Sequence, residues 1–137
     1  MSFPIPEISD VNRPYWDGLA AGELRYQHCR QCGNKWLPAR EHCPECLSAE
    51  SEWRASSGRA TVVSWIVYRH AYAPHLVDRL PYDVTIVQLE EGPRMLTNIV
   101  NGDAGRRLSV GAQVELAIET EEGVNLPRFK LTQQYER

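Results

Sequence analysis

Cys29-Arg30-Gln31-Cys32-Gly33 and Cys43-Pro44-Glu45-Cys46-Leu47 together hold every cysteine of the chain. The spacing is C-x2-C, ten residues, C-x2-C. Each C-x2-C turn aims two sulfurs at one point and leaves backbone N–H groups free to hydrogen-bond them. Two such turns facing one another make a tetrahedral S4 cage for Zn2+. The ten-residue gap is shorter than in many such sites, yet it suits a tight hairpin of two short strands. Two disulfides or four free buried thiols are the bland alternatives, and the expected cytoplasmic location disfavours the disulfides.

The neighbours agree with a metal site. Gly33 follows Cys32, where a knuckle turn tends to need positive φ. Pro44 fixes the second turn. Leu47 stands where symmetry with Gly33 asks for glycine, so the second knuckle is expected to be the less ideal one. Iron also accepts four thiolates, but the short gap favours zinc. Four cysteines close the metal shell, which predicts a structural ion, and His28 and His42 are expected to be surface residues beside it. The ion then supplies folding energy to a segment too small for its own core.

Outward from this module, Phe3-Pro4-Ile5-Pro6 predicts an extended N-terminal arm. Residues 14–21 predict a short helix, with Pro14 in its first turn and Gly22 at its exit. Trp16, Leu19 and Ala20 share one face, with Tyr15 beside them. A helix this short is unstable alone, so the arm and helix, residues 1–23, are expected to dock through Phe3, Ile5, Tyr15, Trp16 and Leu19. The zinc ribbon spans 24–57, with Lys35-Trp36-Leu37-Pro38 as its return strand and Trp53 starting the link onward.

Residues 58–137 read as all β. Five runs carry the pattern: Ala60 to Tyr68, Tyr82 to Leu89, Arg94 to Val100, Gln113 to Glu119 and Arg128 to Thr132. Turn residues separate them at Glu90-Glu91-Gly92-Pro93 and Glu121-Glu122-Gly123. Five strands with a long first one predict a small Greek-key barrel of the OB type. The connection from Arg69 to Pro81 is the longest, and long loops with aromatic and basic residues are where small barrels bind ligands.

Charge and composition narrow the function. The chain has 137 residues, 42% of them hydrophobic, with 15 Lys and Arg against 18 Asp and Glu. Nucleic-acid binders usually carry a basic surplus, and this chain lacks one. Only Lys35 and Lys130 are lysines; the remaining cations are arginines, which suit interfaces and phosphate groups. No apolar run predicts a membrane span or signal peptide, so the expected location is cytoplasmic. All cysteines being committed to metal, no thiol nucleophile is left for acyl transfer.

The layout as a whole resembles the DUF35 family. The residues that carry this are Trp16, Gly18, Leu19, Gly22, Leu24, the four cysteines, Gly33, Pro38, Arg40, Pro44, Gly58, Leu80, Pro81, Tyr82, Gly92, Pro93, Gly111 and Phe129. Leu47 and Ala39 depart from the usual pattern without touching a ligand. The resemblance implies a mainly β protein: a short N-terminal helix, a rubredoxin-like zinc ribbon holding one structural Zn2+ on Cys29, Cys32, Cys43 and Cys46, and a C-terminal five-stranded OB-fold barrel. It also implies a non-catalytic subunit of a thiolase-superfamily acyl-CoA complex that makes or breaks carbon–carbon bonds. The expected partner is a thiolase-like catalytic chain. Arg69, His70, Arg79, Tyr82, Arg94, Arg106 and Arg107 are the expected contacts with coenzyme A or that partner. The alternative is an OB-fold protein that binds single-stranded nucleic acid.

Overall fold

The computed structural model describes residues 5–132. Phe3, expected in the docking arm, lies outside the described residues. The helix α1 (Arg13–Ala20) is entered through a turn in which the Ser9 amide donates to Asn12 Oδ1 at 2.7 Å. Pro14 sits in its first turn, where the missing N–H costs nothing. No helix among the described residues is long and apolar enough to cross a membrane.

Three strands form the ribbon: β1 (Arg25–Cys29), β2 (Lys35–Trp36) and β3 (Ser51–Ala55), in the order β2-β1-β3 and antiparallel throughout. The return strand is shorter than the four residues expected. Trp53 lies in the middle of β3, paired with Gln27, and does not start a linker. The ribbon's own buried cluster is only Cys29, Trp36 and Cys43. So little apolar surface offsets only part of the entropy of ordering the segment, and a metal cross-link would supply the rest.

The second sheet contains β4 (Arg59–Tyr68), β5 (Tyr82–Leu89), β6 (Arg94–Thr97), β7 (Gln113–Glu121) and β8 (Val124–Leu131), ordered β6-β5-β4-β7-β8. Its two edges meet. Ile99 bridges Phe129 in parallel, and the Val100 amide donates to Phe129 O at 2.8 Å. The third run therefore leaves its ladder after Thr97 as the chain crosses from β5 to β8. Buried Asp83 holds that crossing, since its carboxylate accepts from the Ile99 amide at 3.0 Å and from Thr85 Oγ1 at 2.5 Å. Five antiparallel strands closed by one parallel contact are the OB topology. The last run begins earlier than expected, at Val124, because Glu122 and Gly123 form a two-residue turn with φ values of 49° and 82°. Positive φ at both central residues matches the right-handed twist of a hairpin.

The barrel core joins Val62, Val87, Leu89, Ile99, Val114, Phe129 and Leu131, and it includes Leu19 and Leu24 from the N-terminal segment. The helix is thus part of the barrel's core. Tyr15 and Trp16 pack partly against the same cluster, edge to face with centroids 5.3 Å apart. Leu19, expected on a docking face, is 2% exposed and closed to any partner.

Candidate metal centre and ligand cleft

The two knuckles are copies of one turn. In the first, the Cys29 amide donates to Asn34 O at 2.8 Å and the Gly33 amide to Cys29 O at 3.1 Å; in the second, the Cys43 amide donates to Ser48 O and the Leu47 amide to Cys43 O, both at 2.9 Å. The thiol sulfurs of Cys29, Cys32, Cys43 and Cys46 all lie within 4.8 Å of one another. The Cys29–Cys46 and Cys32–Cys43 separations are 3.5 and 3.6 Å. A tetrahedral Zn–S4 site with bonds of about 2.3 Å has edges of about 3.8 Å, so the cage is already close to the size of the ion.

Backbone amides favour the thiolate at Cys29 and Cys43; at Cys32 and Cys46 the amides of Asn34 and Ser48 act downward, but burial and the neighbouring thiols push both up. Cys29 Sγ receives the amides of Cys32 and Gln31, both at 3.4 Å, and these hold its thiol below the ordinary cysteine value. Desolvation acts upward on Cys43, but the amides of Cys46 and Glu45 outweigh it and bring that thiol down to about 6. The Asn34 side-chain amide reaches the same sulfur at 3.7 Å. N–H groups directed at sulfur favour the charged form that a metal requires. Zn2+ bound here would supply a rigid four-point cross-link.

Leu47 completes the second knuckle at φ 65°, the same left-handed region that Gly33 occupies at 82°. A side chain in that region costs about 1 kcal/mol or somewhat more. Leu47 is 72% exposed, so burial within the chain recovers little of this. Leu47→Gly is expected to stabilise the zinc-loaded protein by about 1 kcal/mol, raising its Tm by about 3–5 °C. A thermal melt checks this, and an unchanged or lower Tm would contradict the strain at this position.

Gln27, which no sequence motif singles out, clamps the ribbon. It is 4% exposed; its Nε2 donates to Arg40 O and its Oε1 accepts from the Arg40 amide, both at 2.8 Å. That pair of bonds fixes the segment between the knuckles, which has no regular strand of its own beyond Trp36. His42 is exposed, and His28 is half-buried beside Cys29.

The loop between β4 and β5 folds into a 3-10 turn over Pro74–Arg79. It is tied across to the β7–β8 hairpin: Arg79 Nη1 stands 2.6 Å from Glu121 Oε1, and Arg128 reaches Glu119 at 2.6 Å and Glu121 at 2.9 Å. Beneath lies a cavity of about 390 Å3, lined by residues that include His75, Tyr82, Asn98 and Arg128. Partial burial acts upward on the Glu121 carboxyl, but hydrogen bonds from Arg128 and Arg79 hold it below the ordinary carboxylate range. A lowered folded-state value gives stability that is present above the unfolded carboxylate pKa and is lost as pH falls through the lowered value. Glu121→Gln is expected to cost about 0.5–1 kcal/mol at pH 7 and much less near pH 3. Urea melts at both pH values check this; an equal loss at both would contradict it.

The expected contact residues are not one cluster. His70, Arg79 and Tyr82 share the loop end of the barrel. His70 stacks edgewise on Tyr72 at 4.7 Å, and Tyr68 links Tyr72 to Tyr82 at 6.0 and 5.2 Å. Arg69 is exposed at the start of the same loop. Arg94 pairs with Gln88, six residues along β5 from Tyr82 and so about 20 Å away. It lines a different groove with Tyr15, Leu37, Pro38 and Leu96. Arg106 and Arg107 are exposed in the turn after β6, where Arg107 donates to Asn101 O at 3.3 Å. Ile5 is 74% exposed, and Tyr15 and Trp16 are half-buried.

Comparison with known proteins follows the same two-part layout. Residues 16–52 match the family described as ChsH2, rubredoxin-like zinc ribbon domain, and residues 53–119 that described as ChsH2, C-terminal OB-fold domain. The chain is 36% identical over 108 residues to a DUF35 domain-containing scaffold protein of Methanothermobacter thermautotrophicus, covering 74% of this chain and 80% of that one. It is 32% identical over 128 residues to a probable enoyl-CoA hydratase alpha subunit of Thermomonospora curvata, covering 93% of this chain and 39% of that protein. It therefore spans about two fifths of that hydratase subunit. Among solved structures, a chain of the "Ltp2-ChsH2(DUF35) aldolase" superposes with a TM-score of 0.80 at 30% identity, covering 93% of this chain and 98% of that one.

Proposed function

The chain belongs to the DUF35 family, which joins a rubredoxin-like zinc ribbon to an OB-fold domain, and on that premise we propose that it is the non-catalytic subunit of a thiolase-superfamily acyl-CoA complex. In that reading one Zn2+ on Cys29, Cys32, Cys43 and Cys46 fixes the ribbon and takes no part in catalysis, because four protein sulfurs leave no coordination position for substrate. The catalytic Cys and His belong to a thiolase-like partner. Contact with coenzyme A falls to the loop end of the barrel, through Arg69, His70, Arg79 and Tyr82. There the arginines offer phosphate ligands and the aromatic rings an apolar wall. The exposed Ile5 with half-buried Tyr15 and Trp16 is the N-terminal contribution to docking.

The observation that carries the proposal is the commitment of every cysteine to a single cage, set beside relatives whose names describe a scaffold protein and a hydratase alpha subunit. The test is an assay of free coenzyme A release from an acyl-CoA thioester, with the zinc-loaded chain alone, the thiolase-type chain alone, and the two together. The expected result is no turnover by this chain alone and faster turnover by the pair than by the thiolase-type chain. Turnover by this chain alone would overturn the proposal.

A further inference from the structure

The cations at the loop end of the barrel are already paired. Arg79 Nη1 stands 2.6 Å from Glu121 Oε1, while Arg128 reaches Glu121 at 2.9 Å and Glu119 at 2.6 Å. Residues 69–81 and 119–128 carry three arginines, Arg69, Arg79 and Arg128, against four carboxylates, Asp78, Glu119, Glu121 and Glu122. A ligand phosphate therefore meets no surplus of positive charge there unless a carboxylate gives up its arginine. Arg79 is the one that can be given up. Its side chain is 37% exposed, on a 3-10 turn that buries no residue. Arg128 is 15% exposed and rooted in β8, opposite Ala117 of β7. Loss of Arg79 leaves Glu121 on Arg128, so no carboxylate is stranded; loss of Arg128 would loosen two. Arg79 also lines the cavity, where a ligand can reach its guanidinium.

We propose that Glu121 is a built-in competitor for Arg79: it holds the guanidinium in the unliganded chain, and a phosphate of coenzyme A takes the guanidinium over while Glu121 stays on Arg128. This rests on the reading above that the loop end contacts coenzyme A. The exchange swaps one charge-assisted hydrogen bond for another, so no buried charge is left uncompensated. It has two consequences. The Glu121 pair holds the affinity for coenzyme A below what the arginines alone would give. The phosphate, and not the acyl group, is what frees the Pro74–Arg79 turn from the β7–β8 hairpin.

A double-mutant cycle separates competition from a general effect of charge. Free coenzyme A is titrated by calorimetry into the zinc-loaded wild type, Glu121→Gln, Arg79→Gln and the double variant, at one pH and one ionic strength. Tm and zinc content on the same samples show that each is folded. Glu121→Gln is expected to bind coenzyme A about 2- to 5-fold more tightly than wild type. Arg79→Gln is expected to bind it about 10-fold or more weakly, and the double variant no more tightly than Arg79→Gln alone. A gain from Glu121→Gln that persists without Arg79 would be a general charge effect and would overturn the inference. Unchanged or weaker binding by Glu121→Gln would overturn it too, and both results leave the coenzyme A contact intact. A wild-type chain that does not bind coenzyme A would overturn that contact and the inference together.

Discussion

Replacing Cys43 by serine is expected to unfold the ribbon and leave the barrel standing. Serine does not replace a thiolate on zinc, and Cys43 is both a ligand candidate and one of three buried residues in the ribbon's cluster. Structural zinc sites in small modules contribute on the order of 10–16 kcal/mol at neutral pH, far more than the packing of one tryptophan and two cysteines. Leu19 and Leu24, on the other hand, are anchored in the barrel cluster, so the helix should stay in place. Limited proteolysis of C43S, or of wild type after exhaustive chelation, is expected to cut within residues 25–55 and to leave a resistant fragment from 58 onward. Protection of residues 25–55 without metal would contradict the ribbon's dependence on the cage.

Phe129→Ala is expected to be the most damaging single change in the barrel. Phe129 is fully buried, pairs with Leu116 across β7 and bridges Ile99 where the sheet closes on itself. Truncating a buried phenylalanine costs about 3–5 kcal/mol through lost transfer energy and the cavity left behind. A domain of this size is stable by only about 5–15 kcal/mol, so the loss is a large share of the total. Tm should fall by roughly 10–20 °C, and urea unfolding should show the midpoint shift. Phe129→Leu, which keeps most of the volume, should cost about 1–2 kcal/mol. Equal losses for the two variants would place the residue outside a tightly packed core.

Much of this architecture is legible in the amino-acid sequence. The cysteine spacing announces the cage because metal geometry leaves a local imprint. The five β runs announce the barrel because a curved sheet with one buried face imposes alternation, seen clearly over Tyr82 to Leu89. β3 carries no such imprint. Ser51-Glu52-Trp53-Arg54-Ala55 is half-buried or exposed at every position and is held by backbone bonds to β1, which do not constrain side-chain type. Gln27 is hidden for a similar reason: a polar residue in a polar segment gives no sign that it is the buried clamp on Arg40. Leu47 contradicts the glycine rule, and only the φ value shows that the turn forms regardless. The ion pair from Arg79 to Glu121 joins a loop to a hairpin far along the chain, a separation that periodicity cannot span. Leu19 reads as a docking residue because a short amphipathic helix needs a cover, and the barrel itself provides it.

The subunit reading stands or falls on purifying the tagged chain from its native cells, identifying the bound proteins by mass spectrometry and assaying zinc and iron on the same sample. The expected result is a thiolase-type chain in stoichiometric amount with one zinc and no iron per copy of this chain. Recovery of this chain alone, or with iron in the cage, would contradict it.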